Sequence, residues 1–180
     1  MIPSAEQHDF ELFVHSTSDR LLRTAYMLTG DAHEAQDVVQ AALLRTARHW
    51  RTARQQPYAY TRRVVINLVK DRWRYLGRRP RQTQDDVELL DIYCHGGERE
   101  LERVVQRDLI LRAVHQLPPK QRAVVVLRYL EDLSVEETAR ALGSTTGTVK
   151  THASRGLARL RAVLETTSDP ETEMEQHHAH

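Results

Sequence analysis

The sequence predicts an all-α protein, built as two small helical domains joined by a flexible linker. Three observations predict this. Apolar residues recur at helical intervals in both halves, and no alternating run is convincing as a strand. Capping pairs, Asp31 with Glu34 and Ser134 with Glu137, stand in front of apolar-periodic stretches. From about Gly77 to Gly97 the periodicity is lost, and the breakers in "GRRPRQTQDD" and "CHGG" mark a linker.

In the first half, Phe10, Phe13, Val14, Leu21, Leu22, Ala25, Tyr26 and Leu28 recur at helical spacing until "TGD" breaks the pattern. A long helix then follows to about Trp50, with Val38, Val39, Ala42, Leu43, Ala47 and Trp50 facing inward. "RTARQQ" reads as a polar loop, and Pro57 suits the first turn of the next helix because its missing N–H would have no partner there. Beyond the linker a helix resumes near Glu98 and ends at "LPPKQR". "AVVVLRYLEDL" is β-prone locally, but its neighbours argue helix.

The 180 residues carry a net charge of only +1, distributed in blocks. Residues 1–78 carry +4, residues 79–104 carry −3, residues 105–165 carry +4 and residues 166–180 carry −4. Two basic blocks separated by an acidic connector suggest two modules facing nucleic acid, although two ordinary solvated helical domains would give the same balance. No apolar run approaches the ~20 residues of a membrane span, and no signal peptide is read at the N-terminus. A single cysteine, Cys94, precludes an internal disulfide, so a cytoplasmic protein without membrane contact is expected. The histidines His177, His178 and His180 sit in a charged tail, and Cys94–His95 have no converging ligands, so no metal site and no cofactor are expected. Asp85, Asp86 and Glu88 lie in a polar linker with no pocket implied, and no phosphate-binding glycine loop or nucleophile motif appears. An enzyme is not expected.

The second basic block carries the clearer motif. Ser134 and Glu137 cap a short helix, Gly143 supplies a left-handed turn, and Thr145 can cap the helix that follows. Val149, Ala153, Leu157, Leu160 and Leu164 mark the apolar side of that second helix. Its other side presents Thr148, Lys150, Thr151, Ser154 and Arg155. Two helices about a glycine turn form a helix-turn-helix pattern. Small hydroxyls beside long cations suit a helix in the major groove, where cations reach phosphates or guanine edges and small residues permit close approach. A surface helix of a plain bundle is the bland reading.

The stretch "PYAYTRRVVINLVKDRWR" suggests a different use of DNA. At about 100° per residue, Val64, Val65, Leu68 and Val69 face a core. Arg63, Asn67, Lys70 and Arg74 line one edge. The cations can hold a phosphate backbone, and Asn67 carries both a donor and an acceptor that a base edge can use. Trp50, Tyr58, Tyr60 and Trp73 lie near the ends of this helix. Positive charge interleaved with aromatics is the composition of a single-strand surface. Taken singly, each aromatic reads as core, Trp50 above all.

One module fit for duplex DNA and one fit for opened DNA together describe promoter recognition. The chain resembles bacterial sigma factors of the extracytoplasmic-function (ECF) group, close to the actinobacterial SigE-like members, over about residues 9–163. The resemblance is carried by "LTGDAHEAQDVVQAALLRTARHW", "PYAYTRRVVINLVKDRWR", "LPPKQRAVVVLRYLEDLSVEETARALG" and "GTVKTHASRGLARLR", in that order. It implies a region 2 domain at 9–78, a linker at 79–97, a region 4 domain at 98–165 and an acidic, disordered tail at 166–180. It also implies that Asp37 and Gln40 dock on the clamp helices of the β′ subunit of core RNA polymerase, with the β subunit a further contact. Asn67 would help to read the minus-ten element, flanked by Arg63, Lys70, Arg74 and Tyr58. The Trp50–Tyr58 loop would correspond to the one that pockets a flipped base. Lys150, Thr151, Ser154 and Arg155, with Thr148 beside them, would read the minus-thirty-five element of promoter DNA. An anti-sigma factor is a further partner of such proteins. Where the family usually has an acidic residue after the docking glutamine, this chain has Ala41.

Two other classes compete with this reading. A helix-turn-helix repressor acting without polymerase would need a symmetric dimer for paired half-sites, and no heptad seam is seen. A sigma-like adaptor that binds polymerase but not promoters would have no need of the Lys150–Arg155 surface.

Overall fold

The computed structural model describes residues 4–76 and 109–168, and all the described secondary structure is helical. The expected linker at 79–97, the helix start near Glu98 and the tail beyond Ser168 lie outside the described residues. In chain order the helices are α1 (Ser4–Thr29), α2 (Ala32–Arg48), α3 (Trp50–Ala53), α4 (Pro57–Leu76), α5 (residues 109–115), α6 (Pro119–Val125), α7 (Val135–Leu142) and α8 (Thr146–Ser168). α8 therefore runs three residues into the stretch expected to be the tail.

Local chemistry sets most of these boundaries. Gly30, at φ 81°, ends α1 in the left-handed region that favours glycine. Asp31 accepts a hydrogen bond from the Glu34 amide at 2.7 Å and caps α2. The reciprocal half of the expected box is replaced by an ion pair, since Glu34 reaches Arg72 of α4 at 2.5 Å. α2 stops at Arg48 rather than at Trp50, because His49 turns out of helical geometry at φ −115° and ψ 23°. Trp50 instead opens the single turn α3, and Ala53 within the expected polar loop is buried with it.

α1, α2 and α4 pack against one another as the first module, and α6, α7 and α8 form the second. The modules are not independent bodies joined only by a linker. Leu21, Ala25, Val39, Val65 and Val69 of the first continue without a break into Val114, Ala123, Val126, Leu127 and Leu133 of the second. Each fully buried aliphatic of this kind contributes about 1.5–3 kcal/mol. α4 shows the consequence. Val65 and Val69 are buried as the helical stripe predicts, yet Ile66, off that stripe, is buried too because the second module covers a second side of α4.

After α6 the helix widens into a π turn, Val126–Leu130, closed by the Glu131 amide on the Val126 carbonyl at 3.1 Å. Asp132 then takes φ 51°, the only positive φ outside glycine among the described residues. Together they turn the chain out of helix and send Glu131 inward. Such π turns recur at functional positions.

Candidate nucleic-acid interface

The helix-turn-helix forms as its capping residues dictate. Ser134 accepts from the Glu137 amide at 3.1 Å, and Glu137 accepts from the Ser134 amide at 2.8 Å. The Ser134 backbone amide first, and then the Ser134 hydroxyl, hold the Glu137 carboxyl below its ordinary range. Gly143, at φ 64°, ends α7, and the Ser144 amide donates back to the Ala139 carbonyl at 2.9 Å. Thr145 caps α8 by accepting from the Thr148 amide at 3.2 Å. Val149 is fully buried against Val124 and Ala139, which fixes the rotation of α8 about its axis. That rotation leaves Thr148, Lys150, Thr151, Ser154 and Arg155 all exposed. The Thr151 hydroxyl donates to the Gly147 carbonyl at 3.0 Å and keeps the side chain close to the helix. The result is a convex face of cations and small hydroxyls supported by an apolar seam.

Gly156 lets α8 lie close to α6. A Cβ there would sit 2.7 Å from Val125 Cγ2. The amphipathic periodicity of α8 carries no signal for this approach beyond the glycine itself.

The edge expected on α4 is divided. Arg63, Asn67 and Arg74 are exposed, and Arg74 pairs with Asp71 one turn earlier. Lys70 is half-buried, and its ammonium donates to the Ala141 carbonyl at the end of α7, 2.9 Å away. Between α4 and α7 lies a half-open groove of about 300 Å³, lined on the α4 side by Ala59, Arg62, Arg63 and Ile66 and on the other by Leu133, Glu137, Arg140 and Ala141.

The aromatics do not form a free stacking platform. Trp50 is buried against Phe10 and Phe13, at ring-centroid distances of 5.1 and 5.6 Å. Tyr60 packs on the same cluster and Trp73 on the main core. Tyr58 points into the junction between the modules, where its hydroxyl lies 2.7 and 2.9 Å from the two carboxylate oxygens of Glu131. Arg20 stacks on the Tyr58 ring at 4.3 Å. Burial first, and then the adjacent Glu131 carboxylate, push the Tyr58 phenol well above the ordinary tyrosine range.

Nothing in the sequence periodicity singles out Glu131. Its side chain has 0% exposure, and a buried carboxylate must be paired. Thr24 donates to it at 2.5 Å, Arg62 at 3.1 Å and Arg20 at 3.4 Å, in addition to Tyr58. All four partners belong to α1 and α4. The one hint in the sequence was an acid in a strongly apolar stretch, "VVVLRYLE", and periodicity cannot say what such an acid faces.

Asp37 and Gln40 are both exposed, one turn apart on α2. Leu44 continues their face and is 56% exposed. Opposite them Val38, Val39 and Ala42 are buried. The face thus combines an acid, an amide and an uncovered leucine on a rigid helix, a mixture suited to a protein partner.

Among the described residues, no group of three or more His, Cys, Asp or Glu side chains could hold a metal ion. No described helix is long and apolar enough to cross a membrane.

Comparison with known proteins places these surfaces in a family. Residues 13–79 match sigma-70 region 2, and residues 107–160 match sigma-70 region 4. The chain is 42% identical over 162 residues to the RNA polymerase sigma-E factor of Streptomyces antibioticus, covering 88% of this chain and 86% of that protein. It is 29% identical over 174 residues to the ECF RNA polymerase sigma factor SigW of Bacillus subtilis, covering 91% and 92%. In structure it is similar to the sigma factor RpoE of Bartonella quintana, solved with the anti-sigma factor NepR, with a TM-score of 0.58 at 21% identity over 87% of this chain and 97% of that one. This last likeness bears on the fold alone. The two region matches, in the order and at the places where the two modules form, together with identity over most of the chain, make this protein a member of the ECF group of RNA polymerase sigma factors, the non-enzymatic proteins that bind core polymerase and promoter DNA to begin transcription.

Proposed function

We propose that the protein directs core polymerase by reading two promoter elements in two different ways. The second module, about residues 98–165, reads the minus-thirty-five element as duplex through Thr148, Lys150, Thr151, Ser154 and Arg155. The first, about residues 9–78, reads the minus-ten element as an opened strand through Asn67. Arg63, Lys70 and Arg74 hold the phosphates beside it, with Tyr58 at the head of the helix. Asp37 and Gln40 dock α2 on the β′ clamp helices. The observation that carries the reading is the α8 face: five exposed polar side chains in one patch, opposite a fully buried Val149. A polymerase adaptor that ignored promoters would have no use for that patch.

In two structural relatives, RpoE of Bartonella quintana and CnrH, the sigma factor is seen with the anti-sigma factor NepR and the cytosolic domain of CnrY, respectively. An inhibitory protein partner is accordingly part of this proposal. The experiment is in vitro transcription from a genomic fragment library with core polymerase and the full chain. Initiation at a defined set of promoters sharing two spaced elements is expected, with duplex binding by the protein alone weak and salt-sensitive. Tight sequence-specific binding without polymerase would instead favour a repressor.

A further inference from the structure

Glu131 is a fully buried carboxylate whose donors belong to the other module: Thr24 and Arg20 on α1, Tyr58 and Arg62 on α4. A charge buried within one module is satisfied for as long as that module is folded. A charge buried between two modules is satisfied only while they stay together, or once both have parted into water. Removing one side of such a cluster while it stays closed is strongly unfavourable, so closure depends on the whole set. The set is also chemically particular. Two guanidinium groups and a phenol around one anionic oxygen pair are the donors that a phosphate takes. A second contact acts in the same sense, since Lys70 is held by the Ala141 carbonyl. Ile66 completes the picture, an apolar residue of α4 buried in the core that the two modules share and placed beside Leu133 and Ala141 of the second.

We propose that Glu131 is the clasp of an autoinhibited resting state: it takes the place of a DNA phosphate on Arg62 and Tyr58 and holds the second module across α4. The inference rests on α4 being the minus-ten reader. Opening exchanges one internal carboxylate for DNA phosphates, so the closed state and the DNA-bound state compete for the same cations. Arg62 and Arg20 become the residues over which they compete. A ligand of a state that is populated only in part binds more weakly by that fraction, so the clasp also sets the affinity of the free protein for opened DNA.

The test uses the full chain free of polymerase. Glu131→Gln keeps the shape and removes the charge, and Thr24→Val removes one donor outside the DNA-reading set. Glu136→Gln, an exposed acid on α7, controls for the change in net charge. Small-angle scattering reports closure, and fluorescence anisotropy with an oligothymidylate of about twelve nucleotides reports access to the cations. Glu131→Gln is expected to part the modules by about 10 Å, the scale of a small domain's radius, and to tighten oligonucleotide binding about tenfold. Thr24→Val should move both readouts in the same direction and carries the test if Glu131→Gln does not fold. Glu136→Gln should move neither. Unchanged scattering in both clasp variants overturns the proposal, as does tighter binding without opening. Opening without any gain in binding upholds the clasp and instead removes α4 as the DNA reader.

Discussion

Gly156 of α8 and Val125 of α6 meet with no room for a side chain between them: a Cβ on the glycine would lie 2.7 Å from Val125 Cγ2, with Gln121 Cβ at 3.6 Å behind it. Valine is stiff at χ1 and cannot easily yield. Alanine in a helix interior gains up to about 1 kcal/mol over glycine in propensity, whereas overpacking costs about 1–3 kcal/mol. Gly156→Ala is therefore expected to lower the melting temperature slightly and Gly156→Val substantially, as read by thermal circular dichroism. A rise in melting temperature for Gly156→Ala would mean that α8 can slide on α6.

His115 gives the closed arrangement a pH dependence. Its ring nitrogen lies 3.2 Å from the Tyr26 carbonyl, and its ring meets Tyr26 edge-on. Burial, and then the Arg122 charge, lower its pKa from the ordinary 6.5. A base with a lowered folded-state pKa contributes stability that is present above its ordinary pKa and lost as pH falls through the folded value. Lowering the pH from about 7.5 to about 5.5 should cost the wild type more stability than it costs His115→Gln, in paired melts. Glu34, whose carboxyl burial raises despite Arg72, is present in both proteins and cancels in the difference. Equal losses in the two would place no protonation at this contact.

Asp37 and Gln40 are expected to act through polymerase and not through the fold. Both are exposed, on the side of α2 away from Val38, Val39 and Ala42. Replacing both with alanine should reduce co-purification with core polymerase while leaving helical content unchanged. Undiminished recovery of core would take them out of the interface.

Asn67 and Lys70 should fail in different ways. A base-edge contact is worth roughly 1–3 kcal/mol and changes preference at one position, while a phosphate contact affects all sequences about equally. Asn67→Ala should lose discrimination among minus-ten variants in polymerase-dependent transcription. Lys70→Ala and Arg74→Ala should lower output without changing the ranking, and a pre-melted template should partly restore it. Lys70 also grips the Ala141 carbonyl, so only assays with polymerase bound isolate its role on DNA. An unchanged promoter ranking for Asn67→Ala, with a lower melting temperature, would make the asparagine structural.

What could be read from the sequence was local. The Ser134–Glu137 box, the Gly143 turn and the buried Val149 each follow from contacts within a few residues, so the turn and the rotation of α8 are legible in the sequence. α2 and α4 were readable on the side that packs within their own module. The misses lie at the junction. Ile66 has no place on a single apolar stripe, and the run Val64–Val65–Ile66 was the sign that α4 has two covered sides. Glu131 and Arg62 are 69 residues apart in sequence, and nothing in either neighbourhood encodes their pairing. The Tyr58 and Trp50 surroundings were likewise set by tertiary packing, the one by Glu131 and the other by Phe10 and Phe13.

The chain has two tryptophans, Trp50 and Trp73, and both belong to the first module. Trp50 sits in the Phe10–Phe13 nest and Trp73 beside the shared core. Selectively excited tryptophan emission is thus blind to the second module except through its neighbour, whereas far-ultraviolet dichroism sees the helices of both. Coincident denaturation curves from the two signals mark a molecule that melts as one cooperative body. Should the curves part in a variant, with dichroism falling before emission shifts, the helix-turn-helix has come loose while the aromatic nest still holds, and the protein carries its own reporter for that event.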